Sequence, residues 1–172
     1  ITRSGGIFRD MTIHDFDVAR WLLGEEVETV MAAASVLVDA KIGELGDFDS
    51  ANVILSTASG KQATITNTRR AVYGYDQRIE VHGSGGMLRA GNVLENTVEA
   101  ATGAGFRAAP AQHFFLERYE AAYRLELTAF AQALIDGTPV SPGIKDGLKA
   151  QVLADAAAKS LQTGLPVDLT VG

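Results

Sequence analysis

Residues 62–70 read QATITNTRR, and this stretch decides which kind of sheet the fold contains. Its threonines alternate with Ala63 and Ile65, so one face of the strand is polar and the other is apolar. A strand covered by helices on both faces reads instead as a nearly continuous apolar run. The alternation therefore predicts a half-buried antiparallel sheet with one open face.

Other segments rich in valine, isoleucine and threonine lie on both sides of this stretch. Turn signals separate them, among them Gly43, Gly46 and the motifs ASGK and YGYD. Tight reversals in GSGGML at 83–88 and RAGN at 89–92 continue the short hairpins to about Thr102. The predicted strands are 27–38, 51–58, 62–69 and 78–82.

Helical spacing replaces this alternation towards both ends of the chain. Apolar residues recur at intervals of three and four over 11–23, where Gly24 provides a stop. The same spacing predicts a long helix over 115–137 and another over 144–164. Helix, strands and two further helices give an α+β fold, a mostly antiparallel open-faced sheet with helices packed on one side, without the βαβ alternation of a nucleotide-binding sheet.

Composition narrows the class of protein. The 172 residues are 47% hydrophobic and 21% charged, which is typical of a globular protein, and one domain over 1–172 is the default. A net charge of −6 without a basic block argues against a nucleic-acid partner. The longest apolar stretch, 30–38, is too short to cross a membrane. The absence of cysteine excludes disulfides and thiolate sites, and it favours a cytoplasmic location.

The first predicted helix carries a candidate site. Asp10, His14 and Asp17 are spaced i, i+4 and i+7, so they share one helix face. A carboxylate beside an imidazole fixes which nitrogen holds the proton, which suits a general base near neutral pH.

Spacing alone does not separate this catalytic role from an ordinary structural one. Asp10 could cap the helix, Asp15 and Asp17 could complement its dipole, and His14 could be an ordinary surface residue. Metal binding ranks third, because no second histidine or cysteine accompanies His14, and we predict no metal site.

Three motifs add a resemblance. SGGIFRDMTIHDFDVARWLLG at 4–24, YGYDQRIEVHGSGGML at 73–88 and AAY at 121–123 resemble the substrate domain of inositol dehydrogenases in the Gfo/Idh/MocA oxidoreductase family. In that family the motif D-x-x-x-H-x-x-D lies on a helix that faces the nicotinamide. The resemblance implies oxidation of a ring hydroxyl of a small polyol, myo-inositol, with hydride transfer to NAD.

Roles for individual residues follow from the resemblance. His14 would take the proton of the substrate hydroxyl, and Asp10 would orient and polarise it. Asp17 matches the third motif position and would reach a neighbouring hydroxyl or support the helix. Tyr75 and Tyr123 match substrate-side tyrosines, although Tyr123 also lies on an apolar stripe, which favours a core position.

The family's cofactor-binding features are missing from the sequence. The segment GAGFRA at 103–108 has the spacing of a dinucleotide fingerprint, but it follows a hairpin-like segment and Pro110 interrupts the glycine-rich start that a binding helix would need. The E-K-P lysine motif is also absent. With no starting methionine, the chain is expected to be the C-terminal part of a longer enzyme whose N-terminal domain holds NAD, and to be inactive alone.

The sequence leaves two competing functions open. The chain could belong to a related sugar or cyclitol dehydrogenase of the same family, because the helix chemistry suits any secondary alcohol. It could instead be a non-catalytic oligomerisation module. In either case a homodimer or homotetramer is expected, with copies packed through the open face of the sheet.

Overall fold

The computed structural model describes residues 3–170. The chain forms two compact units, one from the segment up to Arg70 together with the segment from Pro142 onward, and one from Ala71–Ser141. In chain order the elements are a π-helical segment Phe8–Thr12, α1 Ile13–Leu23, β1 Val27–Ser35, α2 Ala40–Glu44, β2 Ser50–Thr57, β3 Gln62–Thr68, β4 Ile79–Gly83, β5 Gly86–Ala90, β6 Glu99–Thr102, β7 Gly105–Ala108, α3 Phe115–Arg118, α4 Glu120–Asp136, α5 Ile144–Thr163 and β8 Val167–Asp168.

The first unit contains an antiparallel sheet in the order β3-β2-β1-β8. Alternate residues of its strands are buried, as Val53 and Ile65 show, while their neighbours Ile54 and Thr64 are exposed. Helices α1 and α5 pack against the buried face. The predicted α+β fold, with an open-faced antiparallel sheet and helices on one side, is confirmed.

The core of this unit lies between the sheet and these two helices. Phe16 of α1 is its largest fully buried side chain. Small residues of α5 let that helix approach the sheet closely, and Ser160 Oγ accepts the N–H of Ala32 at 3.0 Å. The buried apolar residues of the sheet and α5 are Val27, Val30, Ala32, Ala51, Val53, Leu55, Ile65, Ala150, Leu153, Ala154, Ala156 and Ala157.

The first predicted strand ends earlier than expected. Strand β1 stops at Ser35 rather than at residue 38. The buried Asp49 carboxylate accepts the backbone N–H groups of Leu37, Val38 and Asp39 at 2.8–3.0 Å, so these groups are not available to a sheet ladder. Helix α2 follows, where the sequence indicated only turns, because the Asp39 side chain caps it through the Lys41 N–H.

The second unit contains the hairpins β4–β5 and β6–β7 and the helices α3 and α4. The helix predicted over 115–137 is interrupted at Tyr119, which separates α3 from α4. No side chain of α4 is buried among residues 3–170. The favoured core position of Tyr123 is therefore wrong, since this side chain is 45% exposed.

A charged cluster anchors the C-terminal end of α1. The buried Arg20 side chain donates to both carboxylate oxygens of Glu26 at 3.0 Å, and Lys149 Nζ donates to Glu26 Oε1 at 2.5 Å. The hydrogen bonds from Arg20 are the main cause that lowers the pKa of Glu26 from its ordinary value of 4.5 to about 2. Folding therefore stabilises the ionised form of Glu26 relative to its protonated form.

This cluster predicts a loss of stability in acid. A depressed folded pKa contributes stability that is fully present above the unfolded value and is lost as the pH falls from about 4.5 to about 2. Urea unfolding at a series of pH values should show the midpoint falling in this window. The unfolding midpoint of Glu26→Gln should fall less steeply with pH than that of the wild type. Part of the fall should remain, because the pKa of Asp49 is also lowered to about 2. Burial raises the pKa of Asp49, but the hydrogen bonds from backbone N–H groups outweigh this effect. Equal slopes for the two proteins would contradict the assignment to Glu26.

Candidate active site

The helix that carries the candidate residues begins at a glycine that its conformation requires. Gly6 has φ +85°, and a Cβ at this position would lie 2.8 Å from Asp47 Oδ1. The same oxygen accepts the N–H of Ile7 at 2.9 Å, at the start of the helical segment. Asp47 therefore binds this N-terminus, and the alternative in which Asp10 caps the helix is wrong.

Asp10 lies inside the π-helical segment. Its backbone N–H donates to Gly6 O at 2.9 Å, and its Oδ2 accepts from Arg69 Nη1 at 3.4 Å. Its side chain is 39% exposed, so ligands can reach the carboxylate. Within the described part of the chain no hydrogen bond joins Asp10 to His14. π-Helical turns inside helices frequently occur at functional sites, so this segment supports a functional site near Asp10.

His14 lies in the first turn of α1 and is exposed. Only Ile13 separates it from the π-helical segment, so the change in helical pitch lies between Asp10 and His14. Because it is exposed, the imidazole is accessible to a ligand. Its role as the base stays a prediction.

Two residues close to His14 in sequence are hydrogen-bonded to β3. Asn67 Nδ2 donates to Asp15 Oδ2 at 2.9 Å, and Thr12 Oγ1 donates to Asn67 Oδ1 at 2.6 Å. Burial raises the pKa of Asp15, although the hydrogen bond from Asn67 and the charge of His14 oppose it. These contacts join the helix to a strand more than fifty residues away in sequence, and no short-range pattern signals them.

Asp17 is held by a residue of its own helix. Arg20 Nη1 donates to Asp17 Oδ1 at 3.1 Å, and the Arg20 side chain is buried whereas that of Asp17 is 39% exposed. The supporting role considered for Asp17 agrees with this contact. A direct contact with substrate stays a prediction.

The two candidate tyrosines belong to the second unit. The Tyr75 N–H donates to Gln112 O at 2.8 Å, and its ring meets the Tyr119 ring edge to face at 5.7 Å between centroids. The Tyr123 ring meets the other side of this cluster, 6.4 Å from Tyr119. Tyr119 thus brings the two candidates into one aromatic cluster, which helical spacing over 115–137 does not reveal.

Asp76 organises the turn that carries Tyr75. It accepts hydrogen bonds from the hydroxyl of Tyr73 at 2.6 Å and from Arg78 Nε at 2.7 Å. Asn92 Nδ2 donates to the same carboxylate at 2.7 Å. The hydrogen bonds from Arg78 are the main cause that keeps the pKa of Asp76 well below its usual range.

The segment GAGFRA does not have the geometry of a dinucleotide fingerprint. GAGFRA at 103–108 forms the turn and second strand of the β6–β7 hairpin, with no helix N-terminus to hold a pyrophosphate. Across residues 3–170 no group of three or more histidine, aspartate or glutamate side chains could hold a metal ion. No helix in that range has the length and apolar character needed to cross a membrane.

Comparison with known proteins decides the family. Residues 2–89 match the sequence profile of the GFO/IDH/MocA C-terminal domain. The chain belongs to this family. Over 161 residues the chain is 57% identical to an inositol 2-dehydrogenase of Rhizobium meliloti. This match covers 94% of the chain and 49% of that protein. The chain therefore spans about half the length of the curated relative it matches.

Solved structures resemble the Gfo/Idh/MocA domain over nearly its whole length. A myo-inositol dehydrogenase of Corynebacterium glutamicum superposes with a TM-score of 0.94 at 44% identity, over 98% of this chain and 50% of that one. A scyllo-inositol dehydrogenase of Lactobacillus casei, with bound NAD(H) and scyllo-inositol, gives a TM-score of 0.88 at 29% identity, over 98% and 49%. Related inositol dehydrogenases thus bind NAD(H).

Proposed function

We propose that this chain is the substrate-binding part of an NAD-dependent inositol 2-dehydrogenase that oxidises a ring hydroxyl of myo-inositol to a ketone. The observation that carries the proposal is the pair Asp10 and His14, accessible at the junction of the π-helical segment and α1. The 57% identity to a relative named inositol 2-dehydrogenase supports the choice of substrate. The absence of cysteine agrees with an enzyme of the cytoplasm.

The chemistry assigned to the chain is proton transfer. His14 takes the proton from the substrate hydroxyl, so that the oxygen can form a double bond to its carbon. Although no hydrogen bond joins the two side chains in the described structure, we assign Asp10 to orient the imidazole once substrate is bound, through the carboxylate oxygen that does not bind Arg69. A bound oxidised nicotinamide would supply the acceptor for the hydride of the same carbon. One alcohol thereby becomes one ketone, with one proton on His14.

The polyol requires several further hydrogen bonds. Asp17 offers an accepting carboxylate, and Tyr75 and Tyr123 offer hydroxyls that both donate and accept. We assign the binding of NAD to residues outside this chain, because GAGFRA lies in a hairpin. The 172 residues alone should therefore form no NADH.

The test compares the full-length gene product with the 172-residue chain, each mixed with NAD and myo-inositol, with NADH absorbance as the readout. We expect the full-length protein to form NADH and the 172-residue chain to form none. Turnover by the chain alone would contradict the assignment of NAD to other residues. An inactive full-length protein would contradict the proposed function and would favour the non-catalytic module.

The same assay separates the substrates. Scyllo-inositol is bound in a solved relative, so it is the first competitor to measure. A higher kcat/KM for scyllo-inositol or for an aldose than for myo-inositol would contradict the assignment of myo-inositol. It would identify the related cyclitol or sugar as the substrate.

We also propose that the open sheet face packs against a second copy, giving a homodimer or homotetramer. Met31, Ile54 and Thr64 are cross-strand neighbours on that face, and the two apolar side chains are 45% and 46% exposed. A mixed apolar and threonine surface suits a self-complementary interface.

Ile54→Lys is expected to weaken this association about tenfold or more, because two like charges would meet across a twofold interface. Sedimentation or light scattering at several concentrations gives the mass. Leu37→Lys is the matched control, since Leu37 is 78% exposed and lies outside the strands. A wild-type monomer, or an equal response to both changes, would exclude the sheet face as the interface.

A further inference from the structure

Arg69 makes three contacts at the end of β3, beside the helix that carries Asp10. Its side chain is 17% exposed. Nε donates to the carbonyl of Phe48 at 3.3 Å, Nη2 donates to Asp47 Oδ2 at 3.0 Å, and Nη1 donates to Asp10 Oδ2 at 3.4 Å. One guanidinium therefore joins two carboxylates from different segments.

Asp47 is the buried anchor of this arrangement. It is 7% exposed, and its two oxygens serve two partners, since Oδ1 accepts from Ile7 N and Oδ2 accepts from Arg69. The start of the π-helical segment and the Arg69 side chain are thus fixed to the same buried group. The planar guanidinium holds its donors at fixed angles.

Asp10 is oriented by Arg69, which Asp47 holds in place. The carboxylate oxygen Oδ2 is directed towards Arg69, whereas Oδ1 has no hydrogen-bond partner within residues 3–170. Bonding one oxygen to a buried anchor restricts rotation of the carboxylate. The other oxygen then stays available in one direction.

We propose that Arg69 is a positioning residue that holds the Asp10 carboxylate in its working orientation for the reaction. This inference rests on the proposed function, because it assumes that Asp10 acts with His14. Among the described residues no hydrogen bond joins Arg69 to His14, so the proposed effect passes through Asp10. Misplacing a catalytic group by about 1 Å can cost about a hundredfold in rate.

The test measures kcat and KM of the full-length protein with NAD and myo-inositol. Arg69→Gln is expected to lower kcat about 10- to 100-fold with KM changed less than about threefold. Arg69→Lys keeps the charge without the fork, so part of the lost kcat should return. Arg9→Gln is the matched control, because Arg9 pairs with Asp155 at 2.6 Å from the same π-helical segment and no hydrogen bond joins it to Asp10. Its kcat should stay within about twofold.

A double-mutant cycle separates positioning from general damage. In an Asp10→Asn background, Arg69→Gln should lower kcat less than about threefold, because the group it orients is already altered. A further loss as large as that in the wild type would overturn the proposal. So would an Arg69→Gln protein with unchanged kcat.

Folding needs its own control, since Arg69→Gln leaves the buried Asp47 charge without its partner. Asp47→Asn with Arg69→Gln removes both charges. Asp47→Asn alone removes the Asp47 anchor but keeps the Arg69 donors that bind the Phe48 carbonyl and Asp10 Oδ2. We expect the single variant to lose part of kcat and the double variant to lose more. Equal kcat for these two would overturn the proposal. An inactive wild type would instead contradict the proposed function itself.

Discussion

Replacing His14 by alanine in the full-length protein is expected to lower kcat for myo-inositol about 10²- to 10⁴-fold. The proposed base accepts the hydroxyl proton while the C–H bond breaks, and water cannot replace an imidazole held in position. The side chain is exposed on the first turn of α1, so its removal leaves the core unchanged. Alanine is also the best helix former, which preserves the helix.

Two measurements make this result specific to His14. NADH binding, followed by fluorescence titration, should change much less than kcat, because we assign NAD to residues outside the chain. His82→Ala is the matched control, since His82 is an exposed histidine of β4 that pairs with Glu80 at 2.7 Å. An unchanged rate in His14→Ala, or an equal loss in both variants, would exclude His14 as the base.

The sheet was predictable because its signal is local. In QATITNTRR the period of two is visible within nine residues, and the structure buries Ile65 while it exposes Thr64 and Thr66. Burial on one face is what creates such a pattern. The pair Asp10 and His14 could be proposed from the sequence, because a four-residue spacing within one helix needs no tertiary information, and its role stays a prediction.

The π-helical segment and its anchor were not predictable in this way. Asp47 and Arg69 lie 40 and 59 residues from their partners Ile7 and Asp10. Each is an ordinary charged residue in sequence, and only the tertiary fold brings the loop before β2, with Asp47, and the residue after β3, Arg69, to the helix. The pattern predicted an α-helix from Met11, whereas the helical segment begins earlier and starts as a wider turn.

Helix α4 shows a different reason for error. Its apolar stripe is real, but Leu127 and Phe130 are 68% and 49% exposed. An amphipathic pattern indicates that a face is suited to burial, and it does not identify the surface that covers it. Tyr123 was therefore given a core position from a correct observation.

Phe16→Ala is expected to cost about 3–5 kcal/mol of unfolding free energy, the largest stability effect among these changes. Phe16 is fully buried between the sheet and α5, so truncation removes apolar contacts and leaves a cavity that its neighbours fill only in part. A loss of this size is a large fraction of the 5–15 kcal/mol that typically separates folded from unfolded domains. Urea unfolding of the 172-residue chain measures it.

Trp21→Ala is the matched control, because Trp21 is a larger aromatic residue on the same helix but is 78% exposed. Its loss should change stability by less than about 0.5 kcal/mol. Similar costs at both positions would mean that the face of α1 that carries Phe16 is not the one held against the sheet. The Phe16→Ala result also tests whether the packing of α1 against the core or the polar contacts of Asn67 and Arg69 fix the candidate site. A Phe16→Ala protein that stays folded with wild-type kcat in the full-length enzyme would assign that role to Asn67 and Arg69.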